Sequence, residues 1–158
     1  MASTLYVAPA AATVALSAAV AKTVIGVSGA ADFGIDLRKI HYGFDGVTAA
    51  NTPVAVELFY ATFATNPPGT SSTAITPTAV GGRSLAATGF LAASNWTVEP
   101  TVLTLIDAWT VSPNGTPIAY DFAGFGDTPD SAFSQGFVIR MTAAQAVNIR
   151  PTLWFART

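Results

Sequence analysis

The chain has 158 residues, of which only 10% are Asp, Glu, Lys or Arg, with a formal net charge of −2 and no cysteine. That length fits one domain that buries a core without staples, and the lack of cysteine removes disulfides and thiolate metal sites. Seven Lys and Arg give no basic footprint for phosphate, which sets direct nucleic-acid binding aside, and no apolar run is long enough to span a membrane.

The first segment, Met1 to Val27, is rich in Ala and Val, but no Lys or Arg precedes it, Pro9 interrupts it and Lys22 stands near its end. It reads as mature sequence, not as a signal peptide or anchor. Thr13, Val14, Thr23, Val24, Ile25 and Val27 favour extended chain, with a helical turn between Ala10 and Ala21 as the alternative. Residues 1–12 are an N-terminal arm or a first strand, and 13–158 form a single domain. Next, Phe33, Ile35 and Leu37 alternate with Gly34 and Asp36. The apolar phase then shifts to Ile40, Tyr42 and Phe44, which predicts a β-bulge at Arg38 and Lys39. Asp45-Gly46 is a turn. After Pro53, the residues Val54, Val56, Leu58 and Tyr60 share one face while Phe59 and Phe63 take the other, as in a central or interface strand.

Asn66-Pro67-Pro68-Gly69 and the polar residues to Thr73 form the clearest loop. Ile75 to Val80 and Arg83 to Phe90 read as edge strands, with a helical turn within Ala86 to Ala93 as an alternative. Val102 to Val111 places Leu103, Leu105, Trp109 and Val111 in one phase, with Asp107 as the polar exception. Asn114-Gly115 is a hairpin signal joining that strand to Ile118, Tyr120 and Phe122 as an antiparallel pair. A second long loop runs from Gly124 to Gly136. Two strands close the chain, one with Phe137, Ile139 and Met141, the other with Val147, Ile149, Leu153 and Phe155, joined by a hairpin or corner at Thr142 to Ala146. About eight to ten short strands without a βαβ rhythm predict an all-β, antiparallel two-sheet sandwich of jelly-roll type with an extended N-terminal segment. An immunoglobulin-like sandwich is the alternative.

A typical soluble domain is about one quarter charged. A surface built instead from Ala, Thr, Ser and Gly suits a protein that lies against other subunits. No nucleophile with a base, phosphate-cradling loop or metal cluster is visible, so no enzyme and no cofactor are expected. The single His41 has no catalytic partner in the sequence. Asp127 and Asp130 suit Asx-turns better than a calcium site. Arg140, Arg150 and Arg157 are expected to pair across strands with Asp107, Asp121 or Glu99. Trp109 and Trp154 read as packing residues, and Trp96, in a loop beside Asn95 and Glu99, as the surface tryptophan.

Thr13 to Val27 resembles the start of a family of small head proteins of tailed bacteriophages, as does Tyr42-Gly43-Phe44-Asp45-Gly46 continuing to Leu58. Gly136 to Arg140 and Asn148 to Phe155 resemble the closing strands of the same group. The resemblance implies a capsid decoration, or cement, protein. Such a protein is a β-sandwich, made in the bacterial host cytoplasm, that binds the major capsid protein on the outer face of the virion, often as a trimer. Leu5, Tyr6, Val7 and Pro9 would then dock an arm on a neighbour, with Trp96 as a further anchor. The alternative function is a lectin-like jelly roll gripping a glycan through Trp96, Phe125 and Phe133.

Overall fold

The computed structural model describes residues 4–45, 51–81, 89–122 and 128–158. Within them lie β1 (Leu5–Pro9), β2 (Val14–Leu16), β3 (Ala21–Ser28), β4 (Ile35–Phe44), β5 (Val54–Ala61) and β6 (Thr73–Ile75). These are followed by β7 (Thr78–Ala79), β8 (Leu91–Ser94), β9 (Leu103–Val111), β10 (Ile118–Asp121), β11 (Gly136–Thr142) and β12 (Val147–Arg157). Gly46, residues 83–88, Gly124, Phe125 and Asp127, on which several sequence expectations fall, lie outside the described residues.

The first sheet runs β10, β4, β12, β1, β7, with β2 also pairing β12, and the second runs β6, β8, β3, β11, β5, β9. The strand pairings are antiparallel, and they nest. β1 pairs with β12 and β4 with β10 in one layer, while β3 pairs with β11 and β5 with β9 in the other. The chain is thus a long hairpin rolled over on itself, which is the jelly roll the strand spacing predicts. β6, β7 and β8 arise between β5 and β9 and widen both sheets on the opposite side.

Alternation does most of the work in placing the core. Ile35, Leu37, Ile40 and Tyr42 of β4 and Ile149, Leu153 and Phe155 of β12 meet Val54, Val56 and Leu58 of β5 and Phe137, Ile139 and Met141 of β11, all nearly inaccessible. Tyr6, Phe33, Phe90 and Phe155 form a chain of ring contacts at one end of this core, with centroids 4.7–6.1 Å apart. The bulge expected in β4 is present. Trp154 faces Lys39 and Phe155 faces Leu37, leaving Arg38 as the extra residue. It lets both Leu37 and Ile40 point inward.

Three readings are corrected. Asn114-Gly115 does turn the chain, but β9 and β10 do not pair: β9 belongs to β5 and β10 to β4, so the segment crosses between sheets. β9 does not keep one apolar phase, because a bulge at Ile106 puts Leu103 and Leu105 on the outer side with Ala61 and Phe59. Asp107, Trp109 and Val111 face inward with Leu58, Val56 and Val54. The bend places Asp107 within reach of the Tyr120 hydroxyl, at 3.3 Å. Finally, Leu91–Ser94 is strand β8, not the end of a helical turn. At the N-terminus the strand alternative holds: Leu5–Pro9 is paired along its whole length with β12, so these residues are part of the first sheet and not a free arm.

Candidate interaction surface

The two sheets differ in what covers their outer faces. On the second sheet, Phe59, Ala61, Phe63, Ala93, Trp96 and Val138 form a separate apolar cluster, roofed by the segments 62–72 and 95–102. Trp96 is its centre and is only 1% exposed, so the expectation of a surface tryptophan is corrected. The reason lies in β3. Gly26 has no side chain, and a Cβ there would stand 3.1 Å from the Trp96 indole and 2.7 Å from Val138 Cγ1. The glycine is the hollow into which the indole fits.

The polar residues that made this loop look exposed in sequence are its fastenings. The Glu99 carboxylate accepts from the Thr23 backbone N–H at 2.9 Å and from the Thr23 hydroxyl. Trp96 Nε1–H donates to the Asn66 carbonyl at 3.0 Å, and Asn66 Nδ2 donates to the Glu99 carbonyl at 3.1 Å. Thr97 N–H reaches the Ser71 carbonyl at 2.8 Å. Of the seven non-glycine residues with positive φ among those described, five (Phe63, Asn66, Ser71, Asn95 and Val102) lie in these two segments. Left-handed backbone at a β-branched residue such as Val102 is strained.

This roof meets the surface along β9. Among the described residues seven large apolar side chains are prominently exposed, and four of them fall within 98–106: Val98 at 55%, Val102 at 58%, Leu105 at 52% and Ile106 at 44%. Thr104, Ala108 and Thr110 are exposed beside them. β9 has one strand neighbour, β5, among the described residues. Asp107 is half-buried and occupied, accepting from the Ala108 N–H at 2.8 Å and from Tyr120. Trp109 also turns inward, donating from Nε1 to the Tyr42 hydroxyl at 2.9 Å and stacking on Tyr120 at 5.1 Å. Trp109 and Trp154 are both half-buried, as expected of packing residues. Burial pushes the Tyr42 phenol above its ordinary value of 10.0, opposed by the Trp109 bond. The Tyr120 phenol is raised as well, by desolvation and then by the charge and hydrogen bond of Asp107.

The residues singled out for docking do not gather in one patch. Tyr6 is in the core, and Leu5 and Val7 are half-buried in the first sheet, with Val7 opposite Trp154. Pro9 is exposed. The arginines pair, but with other partners than expected: Arg140 with Glu57 directly across β11 and β5 at 2.9 Å, and Arg157 with Asp32 at 3.4 Å. Arg150 donates to the carbonyls of Ala10 and Ala11. Arg38 pairs with Asp36. His41 is exposed on β4, and Asp130 is exposed in a bridge to Asp36. Among the described residues, no three His, Asp or Glu side chains converge as a metal site, and no helix is long and apolar enough to cross a membrane. A shallow cavity lined by Ala11, Thr13, Ile75 and Asn95 carries no charged side chain.

The rim formed by Val98, Val102, Leu105 and Ile106 was not singled out in the sequence. An exposed apolar pair next to a Leu-Thr-Leu-Ile run looks like ordinary core alternation until the bulge is known. No family model, curated protein or solved structure matches the chain.

Proposed function

We propose that this protein is a non-enzymatic structural component of a virion: a decoration protein that binds the outer surface of a tailed-bacteriophage capsid and stabilises the expanded shell. The observation that supports this reading is the exposure of four large apolar side chains within residues 98–106, two of them on β9, set in a surface with very few charges. Dividing 7678 Å² of accessible surface among 16 charged residues leaves about 480 Å² for each. Exposed apolar side chains in so uncharged a surface reward contact with another protein. The resemblance of residues 13–27, 42–58, 136–140 and 148–155 to phage head proteins supplies the partner, the major capsid protein.

The mechanism is linkage. A protein that binds the expanded lattice but not its precursor adds its binding free energy to the expanded state alone, and so raises the shell's resistance to heat and internal pressure. Several subunits joined together bind with avidity, so each contact can be weak. Among the described residues no comparable feature favours glycan binding: of the aromatic trio expected for it, Trp96 is buried and Phe133 is 61% exposed, while Phe125 lies outside the described residues.

Sedimentation with mature, undecorated shells tests the proposal. Saturable pelleting at a fixed stoichiometry, with a raised melting temperature of the shells, is the expected result. Protein that stays in the supernatant at every concentration would remove the capsid reading.

A further inference from the structure

We infer that residues 62–72 and 95–102 form a single strap that lifts off the outer face of the second sheet as one unit while the sandwich stays folded, with the Glu99 carboxylate on Thr23 as its latch. The inference goes beyond the capsid reading and does not depend on it.

The apolar cluster beneath the strap is separate from the main core. Phe59, Phe63, Trp96 and Val138 belong to it, whereas the residues between the two sheets pack together without them. Losing the strap's contacts therefore leaves the inter-sheet core in place, which is the condition for a part of a protein to open on its own.

The strap is bonded to itself along its length. Thr62 N–H donates to the Val102 carbonyl at 3.3 Å, the Thr65 and Thr101 hydroxyls meet at 2.7 Å, and Asn66 is tied to both Trp96 and Glu99. Thr97 reaches the Ser71 carbonyl through its N–H and its hydroxyl. Among the described residues, by contrast, its hydrogen bonds to the sheet fall on two adjacent positions of β3. Asn95 N–H donates to the Val24 carbonyl at 3.1 Å and Trp96 N–H to the Thr23 carbonyl at 3.2 Å, while the Glu99 carboxylate takes the Thr23 N–H and hydroxyl. A body held together internally and fastened at one place moves as a whole.

The fastening sits where regular pairing of β3 ends. The β8 ladder on β3 stops at Ile25 opposite Ser94, and Val24 is an extra residue in β3, since Ile139 faces Ile25 and Arg140 faces Thr23. The Glu99 carboxylate thus stands where a strand carbonyl would continue the ladder and satisfies the Thr23 amide in its place. A side-chain acceptor lets go without unpairing a strand. Strain in the closed state acts in the same direction: Phe63, Ser71 and Val102 hold left-handed backbone, which lifting relieves. The open state uncovers Phe59, Ala61, Ala93 and Val138, so the strap switches the outer face of the second sheet between covered and apolar.

Amide hydrogen exchange of the full chain, read by nuclear magnetic resonance at rising urea below the unfolding transition, tests this. The amides of Thr62, Asn95, Trp96 and Thr97 are expected to exchange as one group, about tenfold or more faster than the slowest amides of β4 and β12. Their urea dependence is weaker, because lifting the strap exposes less surface than unfolding. Ile40→Val trims the inter-sheet core on the first sheet. It is expected to speed the β4 and β12 amides by a few-fold and to leave the strap amides unchanged, since the strap opens without passing through the unfolded chain. Glu99→Ala is expected to speed the strap amides about tenfold or more. Strap amides that share the rate and urea slope of β4 and β12, that follow them in Ile40→Val, or that open one by one would overturn the inference, as would strap exchange indifferent to Glu99→Ala.

Discussion

Replacing Gly26 with alanine tests whether the Trp96 roof is held as described. The added Cβ would meet three groups: Val138 Cγ1 at 2.7 Å, the Phe137 carbonyl oxygen at 3.1 Å and the Trp96 indole at 3.1 Å. The carbonyl belongs to the β3–β11 ladder and cannot move without disturbing its pairing, and the indole is rigid and pinned through Nε1 to the Asn66 carbonyl. Relief therefore comes from turning Val138 or lifting Trp96. Overpacking of a tight core costs about 1–3 kcal/mol, and a lifted indole forfeits a hydrogen bond worth about 1 kcal/mol. The expected loss of about 1–3 kcal/mol lowers the melting temperature by roughly 2–12 °C at 2–4 °C per kcal/mol for a domain of this size. Chemical denaturation and near-ultraviolet circular dichroism measure the two parts, stability and indole seating. Val138→Ala in the same chain removes the closest contact and is expected to return part of the loss in a double-mutant cycle. If Gly26→Ala matches the wild type within about 0.5 kcal/mol, the range usual for surface changes, then Trp96 does not fill the hollow and the account of the roof is wrong.

Three other outcomes follow from the same structure. Val102→Asn replaces a β-branched residue at φ 60° with one that tolerates left-handed backbone, at a site 58% exposed. Relief of about 1 kcal/mol is expected, and a lower melting temperature would contradict the strain assigned there. Glu99→Ala strips the acceptor from the Thr23 amide and hydroxyl, both fully buried, and is expected to cost about 1–3 kcal/mol in a urea titration. Because burial raises the Tyr42 phenol, the folded state holds that proton more tightly than the unfolded chain, so its contribution is intact below about pH 10 and is lost as pH rises through the folded value. Stability measured from pH 9 upward should fall more steeply in the wild type than in Tyr42→Phe, and equal slopes would refute the assignment.

The fold was largely legible because strand alternation is a local signal: the phase break at Arg38 and Lys39 announced a bulge that the β4–β12 register contains. Pairing partners were not, since Asn114-Gly115 turns the chain whether or not the flanking strands are neighbours. The site was hidden for two physical reasons. Trp96 stands among Asn95, Thr97 and Glu99, which look like solvent residues but fasten the loop over it, and only Gly26 within an apolar strand hints that something large lies against that strand. The β9 rim depends on the extra residue at Ile106, which no short-range pattern in Leu103 to Val111 reveals.

The last two strands stand at the middle of the layers, β12 between β4 and β1 and β11 between β3 and β5. During synthesis the earlier strands therefore emerge before the central neighbours that join them, and the two layers are completed only when β12 enters between β4 and β1 and β11 between β3 and β5. Trimming the final strands would not yield a smaller sandwich but would unlace both halves at once.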